Sequence, residues 1–416
     1  MIQNAQQKRG RPKRPRLAPE QIQGAKYLRN ILDLLRPLHS HKECPNRQLH
    51  YDGYVAYVLL YFFTPVLTSM RGLHEASNFK SIQRKLGLRR FSLGSFSEAG
   101  RVFDPALLVP IIDELVERVD TMEGREWLEK LDRTPIAVDG TLLRALPKMV
   151  WALWIDEEHR AAKMHLQFHL AKGVPVGAAL THGNGDERAV LGEALRSGVL
   201  YVIDRGFCDY GLMADILEEE SSFLCRLPNN ASYQVLDERP VAEDQRAAGV
   251  QRDLIVRLGS ASCRALHDRR LRVVEIHVPD DPDAPPRRAK NPDRKTKGYR
   301  TDTCEYTLRL ATDLLDLDVG LLSLLYRYRW LIELFFRWFK QILRADYLLS
   351  ESRNGMAIVM YCALIASLLV RLWTGRKPTK RTYEAICFYF LGVIDEDELA
   401  AHLKKLQRSE CGAARP

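Results

Sequence analysis

Three acidic residues, far apart in the chain, stand where they could share an ion. Asp139 follows the apolar run Ile136-Ala137-Val138 and precedes Gly140; Asp204 follows Tyr201-Val202-Ile203 and precedes Arg205-Gly206. Read as strands, the two runs each deliver a carboxylate to a strand end. Strand ends along one sheet edge can bring such groups to one cation, and glycine lets a ligand or another backbone come close. Asp before Gly is also ordinary turn chemistry, so neither residue identifies a site alone. The third acid, Glu333, lies in residues 326–340. At about 100° per residue, Tyr326, Arg329, Glu333, Arg337 and Lys340 fall within an arc of roughly 80°, while Tyr328, Leu331, Ile332, Leu334, Phe335, Phe336, Trp338 and Phe339 cover the rest. A solvent-facing side would look much the same. Yet one acid amid three cations and a tyrosine suits a carboxylate ligand flanked by phosphate-binding groups.

The apolar pattern shows which elements must position these residues. Residues 21–129 repeat at helical spacing, as in Leu28, Ile31, Leu32 and Leu35, which predicts an all-helical region. Ser95 with Glu98 predicts a capping box opening a helix toward Val119, with Pro105 as an interruption. The runs then shorten to strand length at 135–138, 164–170, 174–181, 200–203 and 222–227, with helices over 187–196 and 210–220. This order describes an α/β fold, a mixed sheet covered by helices, with Asp204 at the end of its fourth strand. Residues 228–305 break the regularity and read as an insertion holding a strand pair over 253–258 and 271–278. Residues 306–311 read as a returning strand, and the chain is helical from Leu321 on.

The chain has 416 residues, 46% of them hydrophobic, enough for two or three domains with buried cores. Its formal net charge is +9, and that charge is concentrated. Lys8, Arg9, Arg11, Lys13, Arg14 and Arg16 precede the first acid, Glu20, and a second basic stretch spans 287–300 against Asp293 alone. Together they exceed the net charge, so the remainder is net acidic. Cations clustered in this way point to a polyanion, because each phosphate contact releases counterions. Lys80, Arg84, Lys85, Arg89 and Arg90 form a further basic stretch, explained equally well by DNA contact or by a solvated helix face. Arg9-Gly10-Arg11-Pro12-Lys13 resembles an AT-hook, an extended element for the minor groove; a solvated basic tail fits it as well. The eight cysteines form no C-x-x-C pair, against a zinc site and a disulfide framework. No apolar core follows the basic N-terminus, so no secretory signal is read there. The apolar runs at 54–67 and 356–370 fall short of the roughly 20 residues of a spanning helix and read as core helices. His165 and His169 share one face of a predicted strand, lack further ligands, and read as structural.

Tyr326, two residues, Arg329, three residues, Glu333, six residues, Lys340 matches without a gap the signature of the insertion-sequence transposases of the IS-four type, a branch of the DDE transposases. Asp139 in Val-Asp-Gly and Asp204 in Ile-Asp-Arg-Gly-Phe resemble that family's first and second aspartate motifs. The resemblance covers about 135–369 and implies an RNase H-like fold, with the first Asp on strand one, the second on strand four and the Glu on a helix after an inserted β-rich region. It implies Asp139, Asp204 and Glu333 as metal-binding catalytic residues holding Mg²⁺, two ions, with Mn²⁺ as a substitute. Tyr326, Arg329, Arg337 and Lys340, with Arg9, Arg11 and Lys13, are the expected DNA-binding residues. The expected partners are double-stranded DNA, as terminal inverted repeats and target, and a second copy of the chain in a synaptic complex. No membrane is expected, and the nucleoid of a bacterial cytoplasm is the expected place.

The organisation that follows is a basic arm over 1–19, a helical DNA-binding region over 20–130, the catalytic domain over 131–370 with its insertion at 228–305, and a helical region over 371–416. Members of this branch form a DNA hairpin aided by an aromatic residue, commonly a tryptophan in the insertion. No Trp lies between Pro228 and Glu305, where Tyr233 and Tyr299 are substitutes; Trp151 and Trp154 read as core. An RNase H-like nuclease that cuts without joining, or an inactive DNA-binding relic, would share parts of this pattern. The intact acids oppose the relic, and the basic arm with its helical region opposes the plain nuclease.

Overall fold

The computed structural model describes residues 31–41, 47–145, 149–152, 160–259, 265–266, 268–278, 306–341 and 349–413. The chain divides into two compact units, Met1–Phe103 with Thr379–Pro416, and Asp104–Pro378. The basic arm with Arg9, Arg11 and Lys13, the basic stretch 287–300, Trp154 and Tyr299 lie outside the described residues.

In the first unit, helix α1 (Tyr51–Phe63) is apolar on every side and is accordingly buried, with Tyr51, Tyr54, Tyr57 and Phe63 fully enclosed. Helix α2 (Met70–Asn78) is opened by Ser69, whose side chain accepts from Gly72 N; α3 (Lys80–Leu86) closes on left-handed Gly87. Helix α4 (Leu93–Val102) corrects the expected capping box. Its N-cap is Ser92, whose side chain accepts from Ser95 N. The helix stops at Val102, because Asp104 and Pro105 start a 3₁₀ turn of their own.

The second unit begins with that turn and helix α5 (Val109–Glu117), followed by strands β1 (Thr134–Arg144), β2 (Ala161–His169) and β3 (Val174–His182), helix α6 (Glu187–Glu193), β4 (Val199–Ile203), α7 (Tyr210–Glu218) and β5 (Ser222–Arg226). The first three strands are antiparallel; β4 and β5 run parallel to β1, giving the order β3-β2-β1-β4-β5. This is the strand arrangement of an RNase H-like fold. Strand β4 is buried along its whole length, as a central parallel strand of Val, Leu, Tyr and Ile must be. Leu191 of α6 and Leu212, Met213 and Ile216 of α7 pack on Ile136, Val138, Tyr201, Ile203 and Phe223 of the sheet.

The inserted region continues the same sheet. Strands β6 (Tyr233–Arg239), β7 (Val250–Leu258), β8 (Leu271–Val278) and β9 (Tyr306–Thr312) follow, with helix α8 (Glu243–Ala247) between β6 and β7, and β9 pairs with β5 so that the order runs on as β9-β8-β7-β6. The returning strand is thus the hinge between catalytic and inserted strands. Strand β6 was not expected. It is an outer strand exposed along most of its length, so it lacks the apolar alternation that marks a half-buried strand. Between β7 and β8 lies a buried ion pair. Arg272 meets Asp253 bidentately, Nε to Oδ1 at 2.8 Å and Nη2 to Oδ2 at 2.7 Å, with side chains 4% and 6% exposed. Nη1 of the same arginine donates to the carbonyls of Leu315 and Leu317. It thereby clamps the turn that leads from β9 into helix α9 (Val319–Tyr328), which helix α10 (Trp330–Gln341) follows.

Helix α11 (Arg353–Thr374) is longer than its apolar run suggested, since Ser352 caps one end and left-handed Gly375 the other. At 22 residues it is long and apolar enough to cross a membrane, but 89% of its most apolar window is buried, and it packs against β3 and α5. Two more helices, α12 (Lys380–Phe390) and α13 (Glu396–Ala413), belong to the first unit, where Phe390 stacks on Phe63 and the Tyr383 hydroxyl donates to the Phe62 carbonyl.

Removing one member of a buried pair strands the other charge. Asp253→Ala is therefore expected to lower stability by about 3–5 kcal/mol, read as a reduced urea midpoint, with most of the loss recovered in Asp253→Leu/Arg272→Met. A loss below about 1 kcal/mol, the range of exposed pairs, would show that the clamp is not holding.

Candidate active site

Asp139 does not end its strand. Strand β1 runs through it to Arg144, because β2 keeps pairing antiparallel alongside, Asp139 opposite Leu166 and Gly140 opposite His165. What ends is the parallel partner: β1 pairs with β4 only as far as Ala137 opposite Val202. Asp139 lies two residues past that point, and Asp204 follows Ile203, the last residue of β4. Both acids therefore sit just beyond the carboxyl ends of the parallel pair, where open α/β sheets leave a crevice.

The third acid arrives on a helix that is not continuous. Helix α9 ends at Tyr328, Arg329 forms a turn, and α10 starts at Trp330, so the single expected helix is two. Arg329 keeps right-handed helical angles, but its N–H bonds back to Tyr326 O and its carbonyl takes Ile332 N, both at 3.1 Å and both spanning three residues. Its side chain, 10% exposed, reaches between two elements: Nη1 to Asp139 Oδ2 at 3.3 Å and Nη2 to Glu333 Oε1 at 2.8 Å. The Tyr326 hydroxyl donates to Asp204 Oδ1 at 2.7 Å, and the Arg329 guanidinium lies 5.8 Å from the Tyr326 ring centre. Asp139, Asp204, Tyr326, Arg329 and Glu333 are thus drawn together. Arg337 and half-buried Lys340 lie farther along α10, Arg337 exposed; Lys340 is about 10 Å beyond Glu333 along the axis.

Burial pushes both aspartate carboxyls up, but their neighbours oppose it unequally. It pushes the Asp139 carboxyl up to about 6; the Gly140 N–H and Arg329 oppose the rise, and Glu187 and Glu333 add to it. At Asp204 burial also pushes upward, but the Tyr326 hydroxyl, the Arg205 N–H, Arg329 and Arg226 outweigh it and leave the carboxyl below its ordinary value. Burial and the Asp204 carboxylate raise the Tyr326 hydroxyl well above its ordinary value, so it remains a donor. Burial keeps His165 and His169 neutral, each lowered to about 4; His165 Nε2 meets Thr181 Oγ1 at 2.8 Å and His169 Nδ1 accepts from Lys172 N. Trp151 donates to the Glu351 carbonyl, and the Tyr233 hydroxyl to Glu275.

Among the described residues no three Asp, Glu, His or Cys side chains form a closed ion-binding cluster. Asp139 and Glu333 are nonetheless bridged by one positively charged group, the Arg329 guanidinium. Their hard oxygen donors, with the half-buried Asp139 carboxyl pushed up by burial despite Arg329, fit a divalent ion. One acid beside Asp139 was not anticipated. Glu187, at the start of α6, has its carboxylate where a Cβ on Gly140 would stand. Gly140, inside a strand, was its only sequence signal.

Residues 130–369 match the family model described as a transposase DDE domain. The chain belongs to the DDE transposase family. It is 29% identical over 261 residues to a putative transposase, y4zB, of Sinorhizobium fredii, a match covering 62% of this chain and 64% of that protein. The chain thus spans just under two thirds of the length of that relative. A probable transposase for insertion sequence element IS5377 of Geobacillus stearothermophilus is 21% identical over 79% of each chain. A putative transposase for insertion sequence element IS4SA of Synechocystis is 22% identical over 71% of this chain and 76% of the relative. Members of the DDE family use divalent metal ions.

The raised Asp139 carboxyl sets a pH dependence for this DDE chain. A folded-state value near 6 against an ordinary 3.8 means the fold favours the protonated acid; its contribution is full below the ordinary value and is lost as pH rises through about 6. In EDTA, Asp139→Asn is therefore expected to be more stable than the parent above pH 6, by about 1–3 kcal/mol, with the gap closing toward pH 4. Thermal unfolding at both ends of that window checks this. A gap that does not change with pH contradicts it.

Proposed function

We propose that this chain is a DNA transposase that hydrolyses the phosphodiester at the ends of its element and joins the freed 3′-hydroxyl to target DNA. The convergence of Asp139, Asp204 and Glu333, from β1, the end of β4 and α10, on Tyr326 and Arg329 supports this reading most. In it the three carboxylates hold Mg²⁺, as two ions, with Mn²⁺ able to substitute. The metal, when bound, would activate the attacking oxygen and stabilise the leaving one in an in-line displacement.

The chain's own side chains do the positioning. The protonated Tyr326 hydroxyl orients Asp204 from one side, leaving its other oxygen directed elsewhere. Arg329 reaches both Asp139 and Glu333, so a scissile phosphate brought to those acids comes within reach of its planar donors. Arg337 and Lys340 extend the positive charge along α10 toward the flanking phosphates. Arg9, Arg11 and Lys13 supply contacts that carry no sequence information except in a narrow minor groove. The substrate in this reading is duplex DNA, both the terminal inverted repeats and the target. Two copies of the chain hold paired ends in the nucleoid of a bacterial cytoplasm.

The test uses duplex oligonucleotides carrying the inverted repeats that flank the coding sequence. With Mg²⁺ the parent chain is expected to nick the repeat end and to join it to a second duplex. Glu333→Gln and Asp139→Asn should each lower nicking by about 10³-fold or more, the scale of single electrostatic elements in active sites. Nicking by Glu333→Gln at the parental rate removes the assignment; cleavage without joining makes the protein a nuclease.

A further inference from the structure

Three parallel strands, β1, β4 and β5, open their carboxyl ends on the crevice, and the two aspartates account for only two of them. The third end carries Arg226. Ile203, the residue before Asp204, pairs with Cys225, the residue before Arg226, so Asp204 and Arg226 stand at the same level on adjacent strands. Such strands lie about 4.8 Å apart. The pleat decides which way the side chains point. Ile136 and Val138 of β1, Tyr201 and Ile203 of β4, and Phe223 and Cys225 of β5 all belong to the core formed with α6 and α7. Side chains alternate along a strand, so Asp139, Asp204 and Arg226 share the opposite face, the one that Tyr326 and Arg329 reach.

Arg226 is held there by the strand on its other side. The pairing of β4 with β5 stops at Ile203 and Cys225, but β9 continues alongside, with Leu310 opposite Arg226. In the same way β2 carries β1 past the last rung it shares with β4. Nη1 of Arg226 lies 3.9 Å from Asp204 Oδ1, the oxygen that accepts from the Tyr326 hydroxyl at 2.7 Å. That separation is a charge contact, too long for a hydrogen bond. Asp204 is oriented by Tyr326, and the Arg226 side chain, 30% exposed, stays within reach of a ligand in the crevice. The row of acids therefore has a guanidinium at each end, Arg329 on Asp139 and Arg226 beside Asp204.

We propose that Arg226 is a further DNA-binding residue of the site, gripping a backbone phosphate of the strand being cut on the β5 side of Asp204. The proposal rests on the reading of this site as one that cuts DNA. A phosphate backbone laid across Asp139 and Asp204 is repelled by both carboxylates unless cations stand beside them. Arg329 serves at the first acid and Arg226 at the second, each with planar donors that match two phosphate oxygens. The returning strand β9 then has a part in DNA binding, since it keeps β5 extended at Arg226.

The experiment measures binding of a fluorescent duplex repeat end to the full chain in EDTA, where no cutting occurs, over a range of KCl concentrations. Arg226→Gln is expected to bind about tenfold or more weakly, the scale of a hydrogen bond to a charged group. It is also expected to reduce the slope of log affinity against log salt by about 0.9, the loss of one phosphate contact on duplex DNA. Arg226→Lys, which keeps the charge without the two-pronged fork, should restore the slope but bind more weakly than the parent. An unchanged slope in Arg226→Gln overturns the proposal even if nicking in Mg²⁺ is lost, because a residue that only props Asp204 would have that effect. A parent chain whose affinity for the duplex does not respond to salt removes the DNA reading itself, and this proposal with it. If Arg226→Gln does not fold, Arg226→Lys decides in its place: parental affinity overturns the proposal.

Discussion

A carboxylate withdrawn from water needs a counter-charge, and in this protein one guanidinium serves two carboxylates. Arg329, itself largely enclosed, bonds Asp139 of the central strand and Glu333 of the following helix. It is the link that ties a sheet residue to a helix residue almost two hundred positions later in the chain. The helix is interrupted at this same residue. With the chain turning at Arg329, its side chain can lie between β1 and Glu333 while Tyr326, three residues earlier, reaches Asp204. A helix running straight through would put those three side chains in one row.

The rest of the second unit can be understood as what holds that link in place. The parallel pairing of β1 and β4 stops at Ala137 and Val202, which leaves the two aspartates just past the last shared rung. Strand β9 docks on β5, and the buried Arg272–Asp253 pair fastens the turn after β9 through two carbonyls. The start of α9 is thereby fixed to the inserted strands. The three inserted strands β6–β8 join the catalytic strands through β9 without a break, so the insertion is a structural part of the sheet that sets where Tyr326, Arg329 and Glu333 begin.

Much of this was legible from local pattern. The buried strands β4 and β5 and the β7–β8 pair announced themselves by apolar runs, because strands covered on both faces have nothing else to be made of. The Tyr326, Arg329, Glu333 spacing pointed to one side of a helix, and the structure does gather those three. What failed had physical causes. Asp139 looked like a strand terminus because Gly140 reads as a turn; only the pairing with β2, a contact set by another segment, keeps the strand going. Strand β6 is exposed and polar, so it carries no alternation. Ser95 and Glu98 satisfy the capping-box spacing, but Ser92, one turn earlier, takes the N-cap. Glu187 reads as an ordinary acid in a first helical turn, and nothing local reveals that its carboxylate lies against Gly140. Interactions between neighbours in sequence were visible; those that close the site were not.

If the guanidinium between Asp139 and Glu333 marks where positive charge belongs, a metal should be found among the same acids once DNA supplies a phosphate for Arg329. Crystals of the full chain with a duplex repeat end and Mn²⁺, measured at the manganese absorption edge, test this most directly. Anomalous peaks bounded by Asp139, Asp204 and Glu333, with Arg329 turned to a phosphate oxygen, are the expected result. DNA bound with the three acids still closed on Arg329 and Tyr326, and no anomalous signal among them, would contradict the account.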